Sequence, residues 1–63
     1  MKGRFMITIK ISPDNGGYDI SVYHNGIKID KTWAMNRIIA ERKRNIFTEY
    51  YSSTFQVETQ WKG

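Results

Sequence analysis

Residues 32–51, TWAMNRIIAERKRNIFTEYY, are the one long stretch of this chain in which apolar residues recur at helical spacing. At about 100° per residue, Met35, Ile39, Ile46 and Tyr50 fall in a narrow stripe, with Ile38 on one flank and Phe47 on the other. The spacing predicts a helix over 32–51 whose stripe covers a sheet. Thr32 is the expected N-cap, since its hydroxyl can accept an unpaired backbone N–H of the first turn. Met35 at the third helical position means there is no capping box.

Outside this stretch the chain alternates as strands do. Residues 54–61 set Phe55, Val57, Thr59 and Trp61 against Gln56, Glu58 and Gln60. On the other side, 18–24 and 27–31 flank Asn25-Gly26, the strongest short hairpin signal, because a type I′ turn needs positive φ at both central residues. A two-residue turn then sets His24 opposite Ile27, Tyr23 opposite Lys28, Val22 opposite Ile29 and Ser21 opposite Asp30. Ile20, Val22, Ile27 and Ile29 share the inner face, and Asp19, Ser21, Tyr23, Lys28 and Asp30 the outer. Residues 5–11 alternate strictly, with Phe5, Ile7, Ile9 and Ile11 on one face and Met6, Thr8 and Lys10 on the other. Residues 12–17, SPDNGG, gather turn formers and read as a mobile loop.

The order is therefore βββαβ, an α+β domain. A helix crossing one face returns the chain for a fourth strand parallel to the first, through a right-handed crossover. The first strand is longer and more apolar than the third, whose Lys28, Asp30 and Lys31 blunt an exposed edge. The expectation is a four-stranded, mostly antiparallel sheet in the order 4-1-2-3, one face covered by the helix and the other open. The expected core is Ile7, Ile9, Ile20, Val22, Ile29, Ile39, Ile46, Phe55 and Val57.

A chain of 63 residues makes one domain, which at this size buries only about 60% of the surface of the unfolded chain. Two Trp, four Tyr and three Phe supply core material, and cysteine is absent, which removes disulfides and thiolate metal sites. The start, MKGR, superficially resembles a signal peptide, but Thr8 and Lys10 interrupt the apolar run that follows. No run reaches the ~18 apolar residues of a membrane span. A cytoplasmic protein without membrane association is expected.

The net charge of +4 favours nucleic acid, anionic membrane or an acidic protein surface as partner, and the six scattered acids do not make a DNA mimic. His24 is the only histidine and lacks companions for a metal site, so it is expected at the rim, packed on Ile27. Asp19, Asp30 and Glu58 share the expected open face but have lysine neighbours that make ordinary cross-strand pairs. Nothing matches a nucleophile triad, a phosphate loop or a metal motif, so no turnover, cofactor or metal is expected.

Two sets of residues are candidates for partner contact. Arg37, Arg42, Lys43 and Arg44 give the helix a positive surface, with Arg37 and Arg44 outward, Glu41 between them, and Arg42 at the margin of the buried stripe. Tyr23 points to the open face with Met6, and Lys10 and Lys28 are expected beside it. The helix set is expected to carry the contact.

The segment 15–30, NGGYDISVYHNGIKID, followed by a helix, resembles the arm-binding domains of phage integrases. That resemblance implies a sheet-based module that docks in a DNA groove. The hairpin 22–31, VYHNGIKIDK, together with the size and the sheet-plus-helix plan, resembles small phage-encoded anti-CRISPR proteins, some of which carry a similar Tyr-x-Asn-Gly hairpin. This second resemblance implies a non-enzymatic inhibitor of a CRISPR-associated nuclease, of the type II effector class, in the host bacterial cytoplasm. Given the charge, it would bind the effector with its guide RNA or block an acidic nuclease site. A monomer or weak homodimer is expected.

Overall fold

The computed structural model describes residues 6–62. Its elements are β1 (Met6–Asp14), β2 (Gly17–His24), β3 (Ile27–Ala34), α1 (Arg37–Ser52) and β4 (Gln56–Trp61). They form one mixed sheet in the order β3-β2-β1-β4, antiparallel except for β1 with β4. The βββαβ plan and strand order are those expected from sequence. Phe5, assigned to the inner face of the first strand, lies outside the described residues.

Two Asn-Gly turns build the meander. Asn25 and Gly26 have φ of 55° and 80°, and Asn15 and Gly16 have 51° and 82°, the positive pair that suits the right-handed twist of the flanking strands. The second of these turns corrects the expected six-residue loop at 12–17. Strand β1 continues through Pro13, paired with Tyr18, to Asp14, paired with Gly17. Pro13 is tolerated because β4 pairs with β1 only as far as Ile11, so the missing N–H has no strand to serve on that side.

The β2–β3 pairing departs from the expected register after two pairs. His24 meets Ile27 and Tyr23 meets Lys28, but Val22 then meets Asp30, leaving Ile29 as an extra residue in β3. From there on, every side chain of β3 changes face relative to the simple hairpin. Asp30, Thr32 and Ala34 turn toward the helix, while Lys31 and Trp33 turn to the open face, across from Ser21 and Asp19. Ile29, expected in the core, is 45% exposed.

The buried hydrophobic residues are Ile7, Ile9, Ile11, Ile20, Val22, Ala34 and Ala40. Tyr18, Ile39, Phe47, Tyr51, Phe55 and Val57 pack against them in part. Because β3 runs on to Ala34, the helix begins late and its N-cap is Asn36, not Thr32. The Asn36 side chain accepts the Ile39 backbone N–H at 2.9 Å. Two residues, Met35 and Asn36, link strand to helix, and this short link sets the helix phase one residue, about 100°, away from that expected. The inward stripe is Ala40, Phe47 and Tyr51 with Ile39 at its flank, and Ile46, expected in the core, is 64% exposed. Met35, Ile38 and Tyr50 are also on the surface. Ala34 and Ala40, both small, let the first turns of the helix lie close on the end of β3.

Ile46 separates the two helix phases, with the buried strand residue Ile9 as the reference. Ile9→Ala should cost ~2–5 kcal/mol, while Ile46→Ala should stay within about 0.5 kcal/mol of wild type in urea unfolding. Gly26→Val has open space for its side chain, yet should cost about 1–3 kcal/mol through its positive φ alone. An unchanged urea midpoint would contradict the turn geometry.

Candidate functional site

With Ile7, Ile9 and Ile11 under the helix, the alternate residues of β1 and their partners make the opposite, open face. Lys10 pairs with Ser21 on one side and with Gln60 on the other, and Thr8 lies between Tyr23 and Glu58. Tyr23 is the centre of charge on this face. The Lys10 ammonium stands 5.0 Å from its ring centroid and that of Lys28 5.8 Å, both within cation–π range. The bulge adds Lys31 across from Ser21.

The bulge also brings Trp33 here, a residue that sequence periodicity placed in the helix. Its Nε1 donates to the Asp14 carbonyl at 3.0 Å. A Cβ on Gly17 would collide with this indole and with the Ala34 carbonyl, so the bare glycine is the seat of the ring. Ser21, 3% exposed, forms a low floor between the two aromatics. Beside that floor is a groove of about 470 Å³ lined by Lys10, Ser12, Asp19, Tyr23, Gln60 and Lys62 among others. Two acids of the face bond to polar neighbours, Asp19 accepting the Ser21 hydroxyl at 2.9 Å and Glu58 the Gln60 amide at 2.9 Å, and Asp14, opposite Gly17, is a third. Asp30, expected to join them, is on the helix face instead. Among the described residues no cluster of three His, Cys, Asp or Glu is placed to hold a metal ion.

The helix cations are mostly committed within the fold. Arg37 lies over the Trp61 ring at 4.5 Å and pairs with Glu41 at 3.3 Å. Lys43 donates to the Trp33 carbonyl at 2.9 Å and to the Thr32 hydroxyl at 3.3 Å, tying α1 to the free edge of β3. Arg44, expected outward, is half-buried, with its Nε enclosed and unpartnered among the described residues. The 100° change of phase accounts for this, and it turns Arg42 from the expected margin to solvent. Of the candidate residues, the structure brings Tyr23, Lys10 and Lys28 together and spreads the helix set apart. Lys31 and Trp33 were missed because only the bulge reveals their face.

At the far end of the helix, aromatic rings close the core. His24 rests on Phe55, centroids 4.8 Å apart, with its Nε2 buried and unpartnered among the described residues, while its register partner Ile27 is largely exposed. Tyr51 stacks near Phe47 and Phe55 and its hydroxyl donates to Asp30 at a long 3.5 Å. Burial first, then the Asp30 charge, raises the Tyr51 pKa above its ordinary 10.0.

No protein-family model, curated protein or solved structure matches this chain. No helix among the described residues is long and apolar enough to cross a membrane.

Because Tyr51 ionises at higher pH folded than unfolded, its contribution to stability is present below pH 10.0 and is lost as pH rises through the raised value. The melting temperature of the native chain should therefore fall more steeply between pH 10 and 12 than that of Tyr51→Phe, as followed by circular dichroism.

Proposed function

We propose that this chain is a non-catalytic binding protein that takes nucleic acid on the open face of its sheet. The observation that carries this reading is the convergence of Lys10 and Lys28 on Tyr23, with Lys31 and Trp33 turned to the same face. Lysines beside aromatic rings, Trp33 exposed and Tyr23 partly so, offer phosphates a charge and bases a stacking surface. Lys10, Lys28, Lys31 and Lys62 outnumber the carboxylates of Asp14, Asp19 and Glu58 on this face, which leaves its sign positive. The helix is the weaker choice because three of its four candidate cations are held by Trp61, β3 or burial.

A narrower reading, supported by the likeness of hairpin 22–31 to anti-CRISPR proteins, makes the nucleic acid the guide RNA of a CRISPR effector nuclease. The chain would then act as a non-enzymatic inhibitor in the bacterial cytoplasm, without cofactor, metal or membrane. A pull-down from bacterial lysate, with and without nuclease treatment, separates the two. A multidomain nuclease recovered in both arms favours the inhibitor, and nucleic acid alone favours the simple module.

The direct test is fluorescence anisotropy with labelled oligonucleotides. Lys10→Glu/Lys28→Glu should weaken binding more than tenfold in low salt and lower the salt slope by about 2, while Arg42→Glu changes affinity less than about twofold. A folded double variant that binds as wild type would overturn the assignment.

A further inference from the structure

We infer that the open face selects single-stranded over double-stranded nucleic acid, with Trp33 and Tyr23 as two stacking platforms for unpaired bases; this rests on the reading just proposed. Trp33 is built as a platform. Gly17 lies beneath the indole, where any side chain would collide with it, the Nε1 bond to Asp14 holds the ring, and 44% of the residue remains exposed. A ring held in place in the free protein loses little freedom when a base settles on it.

Tyr23 lies four residues along β2 from Asp19, the register partner of Trp33, and six from Gly17, against which the indole rests, so the platforms are ~13–20 Å apart along the strand. The ground between them is low and charged, with the buried Ser21 as floor and Lys31 across from it. An extended strand crossing this track meets ring, lysine and ring in turn, with its phosphates within reach of Lys10, Lys28 and Lys31. The 470 Å³ groove beside Tyr23, with Ser12, Gln60 and Lys62 at its walls, has room and hydrogen-bonding groups for one splayed base.

Duplex fits this face poorly. Four strands at about 4.8 Å spacing set the outer two about 14 Å apart, wider than the roughly 12 Å of a major groove. Among the described residues the face presents no arginine, the usual bidentate reader of guanine edges, and the π surfaces it does present have no use for bases already stacked in a helix. Lysine with aromatic rings is the chemistry of sequence-tolerant single-strand binding, shared by RNA and DNA.

The experiment uses the full chain carrying Trp61→Phe, so that Trp33 is the sole tryptophan, and titrates it with a pyrimidine octamer as RNA, as DNA and as blunt duplex of the same sequence. Single strands should quench Trp33 fluorescence and bind at least tenfold more tightly than the duplex. Tyr23→Ala and Trp33→Ala should each weaken single-strand binding roughly 5- to 100-fold, while Trp33→Phe, which keeps a ring, stays within about threefold of the parent. Should Trp33→Ala fail to fold, Tyr23→Ala and the quenching still decide the matter. Duplex bound as tightly as single strand, or single-strand binding without quenching, overturns this inference and leaves the nucleic-acid reading standing. Binding to none of the three overturns both.

Discussion

One extra residue in β3 decides the character of both faces of the sheet. With a regular pairing, Ile29 and Lys31 would have met Val22 and Ile20 under the helix, and Trp33 would have met Tyr18 there. Ile29 instead takes up the bulge, and Asp30, Thr32 and Ala34 become the inner residues. A lysine and an indole that would have been buried beneath α1 thus stand on the open face, where a charge is hydrated and a ring is available. An acid goes the other way, to lie near Tyr51. The open face is consequently more basic and more aromatic than a regular hairpin would make it.

The same slip makes the helix fit. Ala34 meets the first turns of α1 with almost no side chain, and Ala40 answers it from the helix, both fully buried or nearly so. Lys43 then closes the seam by donating to Thr32 and Trp33. That contact also covers a carbonyl of the outermost strand, which blunts an edge otherwise open to pairing with another chain. Aromatic packing among Phe47, Tyr51, Phe55 and His24 finishes the core at the other end. A chain this short has little core to spare, so several helix cations serve the fold rather than a partner.

Charge on this molecule therefore has two different uses. On the helix side, arginine and lysine stems pack against rings and backbone, as long amphipathic side chains do. On the sheet side, lysines surround the partly exposed Tyr23 ring with no apolar layer above them. A count of basic residues treats the two groups alike. Their surroundings make the first structural and the second available.

Strand alternation, the Asn25-Gly26 dipeptide and a single helical stretch were enough to read the βββαβ order and the placement of β4 beside β1 from sequence. Those features depend on local periodicity and on backbone angles that few residues tolerate. Ile7, Ile9, Ile20 and Val22 were legible as core for the same reason, and Tyr23, Lys10 and Lys28 as neighbours, because their pairs lie before the bulge or outside it. Three things were decided only in the tertiary structure: the face of Lys31 and Trp33, the burial of Ala40 in place of Ile46, and the half-buried position of Arg44. Each depends on an insertion or a phase that leaves no mark in periodicity. The stretch 32–51 offers two apolar stripes one residue apart, and only the short link from β3 to α1 selects between them. Local sequence sets which residues alternate; the docking of one element on another sets where the alternation starts.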